Sequence, residues 1–145
     1  MAIRINPYLN FKGNTEEAFE FYRSVFGGEF LGGITRFGDT PEGDRVLANE
    51  RNKVMHMALP IGKDNLLMGT DALESMGHNV TAGTNFHLSI DTGSKEEADS
   101  IYEKLSPGGN KTVPMTQQSW GAYFGMVTDR FGISWMVSFD PKVKV

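Results

Sequence analysis

The stretch Thr15-Glu16-Glu17-Ala18-Phe19-Glu20-Phe21-Tyr22-Arg23-Ser24-Val25 returns 80 residues later as Lys95-Glu96-Glu97-Ala98-Asp99-Ser100-Ile101-Tyr102-Glu103-Lys104-Leu105. Glu-Glu-Ala and the later tyrosine recur in register, as does Gly13 with Gly93. Apolar residues fall at i, i+3, i+4 and i+7 in both: Ala18, Phe21, Tyr22 and Val25, then Ala98, Ile101, Tyr102 and Leu105. That spacing lines one side of a helix with apolar groups, so each copy predicts a helix with one buried stripe. Asn14 or Thr15 is placed to cap the first, and Ser94 with Glu97 reads as a capping box for the second. Gly27-Gly28 and Pro107-Gly108-Gly109 supply the stops.

Working outward, a strand precedes each helix (residues 3–11 and 85–91) and three follow it. These are residues 29–37, 52–61 and 65–71 in the first half, then 111–115, 121–128 and 133–139 in the second. Gly62-Lys63-Asp64 and Asp129-Arg130-Phe131-Gly132 turn the hairpins. The expected fold is therefore α+β, with two tandem βαβββ modules forming a curved sheet around a concave groove. Residues 1–71 make the first module, 72–83 a Gly/Asn/Ser/Thr-rich linker and 84–145 the second, together one domain. A helix covers only one face of a four-stranded sheet, so the other face needs a partner. A concave surface of this kind is where small ligands bind.

Composition narrows the function classes. A chain of 145 residues, 39% hydrophobic and 22% charged, has the size and make-up of one globular domain. Cysteine is absent, which removes disulfides, thiolate metal sites and a cysteine nucleophile. The net charge of −4 and the lack of Lys/Arg clusters argue against nucleic acid as a partner. No signal peptide or membrane-spanning run is read, so the expected location is cytoplasmic, with no membrane partner. No Gly-x-Ser-x-Gly turn marks a serine nucleophile.

Several motifs in order carry a family resemblance. They are Asn6-Pro7-Tyr8-Leu9-Asn10-Phe11-Lys12-Gly13, Val25-Phe26-Gly27-Gly28, Met55-His56-Met57-Ala58-Leu59-Pro60-Ile61-Gly62, Leu67-Met68-Gly69-Thr70-Asp71 and Trp120-Gly121, closed by Asp129-Arg130-Phe131-Gly132-Ile133-Ser134-Trp135. Together, over nearly the whole chain, they resemble the PhnB-like branch of the vicinal oxygen chelate superfamily, which includes glyoxalase I, bleomycin-resistance proteins and extradiol dioxygenases. The resemblance implies paired βαβββ modules and a homodimer. The branch often carries the name of a demethylubiquinone methyltransferase, but no Gly-rich nucleotide-binding strand-turn-helix is present to support that chemistry.

Metal-using members of the superfamily take His, Gln or Glu ligands from the first and last strands of each module. Counted onto this chain, the four positions fall near Pro7, Met68, His87 and Met136. Proline has no donor side chain and thioether is a poor ligand for Zn, Mn or Ni, so only His87 is ligand-capable. The expectation is no metal, with a divalent ion kept as the alternative. His56 and His87 are the catalytic candidates, as general bases or as half of an unusual metal site. The expected ligand-binding set is Tyr8, His56, Met68, His87, Trp120 and Met136. Trp120 is read as either packing or an aromatic wall, Trp135 as core, and Asp71 as an isolated strand-end residue. Three functions stay open: small-molecule binding in the groove, a metal-dependent lyase, isomerase or dioxygenase around His56 and His87, and a dimeric interaction module.

Overall fold

A computed structural model describes residues 2–41 and 43–145 of the chain. The contacts divide it into two compact units, one running to Thr81 and one starting at Ala82. In the first, strand β1 (Tyr8–Phe11) leads into helix α1 (Thr15–Phe26), followed by β2 (Thr35–Arg36), β3 (Val54–Ile61) and β4 (Asn65–Asp71). The second repeats the order with β5 (Leu88–Asp91), α2 (Lys95–Leu105), β6 (Asn110–Gln117), β7 (Tyr123–Thr128) and β8 (Ser134–Phe139). The sheets run β1-β4-β3-β2 and β5-β8-β7-β6, with the first and last strand of each unit parallel and the hairpins antiparallel. The α+β class and the βαβββ repeat are thus observed.

Each helix buries three of the four residues of the stripe that its spacing predicts: Ala18, Tyr22 and Val25 from α1, and Ala98, Tyr102 and Leu105 from α2. Phe21 and Ile101 are only half-buried, and Phe19, outside the expected stripe, is fully buried instead. Phe19 stands edge-on to Phe11 and to Tyr22, with ring centroids 6.4 and 5.7 Å away. Full burial of such side chains is worth about 1.5–3 kcal/mol each. Gly69 of β4 lies directly beneath this cluster. A Cβ there would meet Phe19 Cε1 at 2.5 Å and Thr15 Cγ2 at 3.0 Å. Gly69→Ala is therefore expected to cost about 1–3 kcal/mol of stability by overpacking, read as a lower urea midpoint at unchanged slope.

The edges of the units depart from the expected strands. β1 begins at Tyr8 rather than residue 3, because Pro7 has no N–H for a ladder and Asn6 uses its side chain instead, accepting from Leu66 N–H at 3.1 Å. The expected strand over 29–37 shrinks to Thr35–Arg36, after Gly27, Gly28, Gly32 and Gly33 with φ between 71° and 87°. Tight 3-10 turns at Phe37–Asp39, Gly43–Arg45 and Ala48–Glu50 then carry the chain to β3. β6 runs longer than expected, and its Pro114 sits on an edge strand, where a missing donor is tolerated. Ala72 and Leu73, counted with the linker, are buried, and Ala72 N–H donates to Phe11 O at 2.7 Å.

Both helix starts also differ in detail. The Asn14 side chain makes no capping bond. Asp71 takes that role from across the sheet: its Oδ1 accepts from Thr15 N–H at 3.0 Å and from Thr15 Oγ1 at 2.7 Å, while Oδ2 accepts from Val54 N–H at 2.8 Å. In α2, Glu97 N–H donates to Ser94 Oγ at 3.1 Å as a capping box requires, but the Glu97 carboxylate reaches Gly93 N–H instead of that of Ser94.

Candidate functional site

Residues paired across neighbouring strands share a face, and successive residues alternate. In the first sheet, Leu9 pairs Gly69, which pairs Met57, and Gly69 faces α1 through its contact with Phe19. The row Tyr8–Met68–Ala58 therefore lies on the opposite, open face, as do Asn10 and Thr70. His56 joins them by alternation from Ala58. Its ring lies 5.9 Å from that of Tyr8, tilted by 34°. Tyr8 is exposed, while His56 and Met68 are half-buried. The fold thus brings together three of the expected ligand-binding residues, Tyr8, His56 and Met68.

The polar tips on this face are unused. Among the described residues, neither the Tyr8 hydroxyl, the Asn10 carboxamide nor the His56 imidazole has a hydrogen-bond partner. The Thr70 hydroxyl is committed, donating to Val54 O at 3.3 Å. Side chains of this type retain their donors and acceptors for a ligand.

The remaining candidates belong to the second unit. There Leu88, Trp135 and Val127 share a row, as do Ile90, Val137 and Gly125. This is the helix side, since Tyr123, of the same alternation, donates its hydroxyl to Asp99 of α2 at 2.6 Å. That bond raises the Tyr123 pKa above its ordinary value. The open face carries Ser89, Met136 and Met126 in one row and Asp91, Ser138 and Phe124 in the next. Met136 is half-buried there. Trp120 stands in the β6–β7 turn, 62% exposed, with its ring 6.1 Å from Phe124. The turn beneath it is well tied: Gln118 N–H donates to Ala122 O, and Gln117 Nε2 to Gly121 O. Trp135 is buried, with its indole N–H donating to Asp129 Oδ2 at 2.9 Å. The sequence reading does not single out Phe124, although its place four residues after Trp120 on an alternating strand is the signal that finds it.

His87 lies just before β5 and is exposed. The repeat count equates it with Pro7, and the registers correct that equation. Pro7 alternates with the helix-side residue Leu9, whereas His87 alternates with the open-face residue Ser89. The last helix-side residue before α1 is Phe11, while Ile90 holds that face in β5, so the strands slip by one residue against helices that keep the offset of 80. On the open face of the first sheet the slip substitutes Tyr8, whose neutral phenol is a weaker donor for a divalent ion than the His, Gln or Glu of the superfamily site. Among the described residues, no three or more His, Cys, Asp or Glu are grouped to hold a metal ion. The donor set does not fit the four-ligand site that the superfamily implies. Nor is any described helix long and apolar enough to cross a membrane.

Comparison with known proteins agrees with this architecture. The protein PA1353 from Pseudomonas aeruginosa superposes with a TM-score of 0.83 at 34% identity, over 96% of this chain and 98% of that one. A PhnB protein from Bacillus cereus gives 0.74 at 26% identity, covering 94% and 99%. A glyoxalase/bleomycin resistance protein/dioxygenase family enzyme from Burkholderia phytofirmans PsJN shares the fold, with a TM-score of 0.64 at 19% identity over 91% and 95%. Protein YjdN of Escherichia coli (strain K12) is 28% identical over 142 residues, 92% of this chain and 93% of its own. With residues 3–138 matched by the family model for 3-demethylubiquinone-9 3-methyltransferase, the chain belongs to that family.

Proposed function

We propose that this chain is a small-molecule-binding protein that receives its ligand on the open sheet face and works without the four-ligand metal site of its superfamily. The observation that carries the reading is the grouping of Tyr8, His56 and Met68 on one face, with the Tyr8 and His56 polar atoms unengaged among the described residues. Two aromatic rings beside a thioether make an adaptable apolar platform, and free donors and acceptors at its margin fix orientation. The second unit supports the same reading with Trp120 and Phe124 near the open-face methionines Met126 and Met136. Methyl transfer is not carried over from the family's name. The turns from β1 into α1 and from β5 into α2 each contain a single glycine, Gly13 and Gly93, unlike a Gly-rich phosphate cradle. A cytoplasmic homodimer is the form in which we expect the protein to act.

The test combines metal analysis with ligand titration. Protein purified without affinity tag or chelator is expected to contain far less than one equivalent of Zn, Mn, Ni or Fe by plasma mass spectrometry. A planar aromatic ligand is expected to stabilise the native state by mass action, about 2.7 kcal/mol at 100 times Kd, and so to raise the melting temperature. One equivalent of metal per chain, released by His56→Ala or His87→Ala, overturns the reading in favour of a metal enzyme. No thermal shift with any compound of an aromatic library points instead to an interaction module.

A further inference from the structure

The open face of the first sheet limits the charge of what it receives. Its positions are Tyr8 and Asn10 of β1, Val54, His56, Ala58 and Pro60 of β3, Leu66, Met68 and Thr70 of β4, and Thr35 of β2, paired with His56; Val54 and Ala58 are buried. Arg36 pairs with Val54 across a register shift, but its guanidinium is held by Glu16 of α1 at 2.9 Å. None of the other positions is Asp, Glu, Lys or Arg, although 22% of the chain is charged. An ion brought onto such a surface loses hydration and gains no countercharge, which is unfavourable. A neutral ligand has no such cost. The face is also graded. Asn10 pairs with Thr70 in one row, with His56 beside it by alternation; Tyr8 shares the next row with Met68 and Ala58, and Leu66 and Pro60 make the last, so the unbonded polar tips lie in the first two rows.

We infer that the first sheet recognises an uncharged, planar aromatic molecule with one hydrogen-bonding edge. That edge meets the tips of Tyr8, Asn10 and His56, and the ring lies against Met68. The inference rests on the small-molecule reading and adds the ligand's charge class to it.

Three probes of one bicyclic outline separate the two ideas: neutral 2-naphthol, anionic 2-naphthoate and cationic N-methylquinolinium. Each is titrated calorimetrically at neutral pH into the full chain and into Tyr8→Ser and His56→Gln, whose melting temperatures are checked first. Tyr8 is 46% exposed, so its replacement leaves the core intact. The expected result is 2-naphthol binding at least about tenfold more tightly than either ion, with each substitution costing about tenfold, the size of one net hydrogen bond. An ion that binds as well or better, and is lost with the same substitutions, overturns the charge class and leaves the small-molecule reading standing. Preferred 2-naphthol binding that neither substitution changes moves the site off this face and overturns the assignment. Binding of none of the three overturns both.

Discussion

Replacing Asp71 with alanine is expected to lower the free energy of unfolding by about 3–5 kcal/mol, enough to leave a domain of this size marginal. The carboxylate is 3% exposed and accepts three hydrogen bonds, two from the start of α1 and one from the start of β3. Alanine strands the N–H groups of Thr15 and Val54 in a buried setting, and each unsatisfied donor costs about 1–3 kcal/mol. The effect is larger than that of an ordinary helix cap because one side chain ties the helix to two strands. Asp71→Asn keeps an acceptor for Thr15 but turns an amide N–H₂ toward Val54 N–H, or the reverse, so it is expected to fall between wild type and alanine. Urea unfolding of the three proteins checks the order.

The second unit has its own strut. Asp129 accepts from Phe131 N–H at 2.8 Å and Ile133 N–H at 3.1 Å through Oδ1, and from the Trp135 indole through Oδ2. Asp129→Ala is expected to cost about 2–4 kcal/mol, since it frees the β7–β8 turn and leaves a buried indole donor unpaired. The loss has an optical signature. With Trp120→Phe as background, emission comes from Trp135 alone, and adding Asp129→Ala is expected to shift and broaden it as the ring loses its fixed partner. An unchanged spectrum and midpoint contradict the role assigned to Asp129.

The repeat was legible because helices advertise themselves: Ala18, Tyr22 and Val25 recur as Ala98, Tyr102 and Leu105, and all six are buried. Strand faces were less so. One residue's difference between Phe11 and Asp91 in the step from strand to helix reverses the face of every residue before it, and nothing local in the sequence marks the change. For this reason Pro7 was matched to His87, while Tyr8 proves to be the open-face residue. Asp71 was missed for a different reason. Its three partners lie 56 and 17 residues away, beyond any local pattern. Asp129 was readable because two of its partners are backbone groups within four residues. Of the candidate site, Met68 and His56 fall on the same face by alternation once β3 and β4 are paired, but the approach of His56 to Tyr8 depends on the sheet order β1-β4-β3.

The most direct test of ligand binding on this face without a metal uses methyl-labelled methionine. Met68 lies in the open row with Tyr8, whereas Met76 sits in the 3-10 turn after β4 and is 61% exposed. In chelator-treated protein, titration with 2-naphthol is expected to move the Met68 methyl resonance by the ring current of the bound molecule and to leave that of Met76 in place. A Met68 signal that stays fixed while the ligand binds, or that moves only after a divalent metal is added back, contradicts the account.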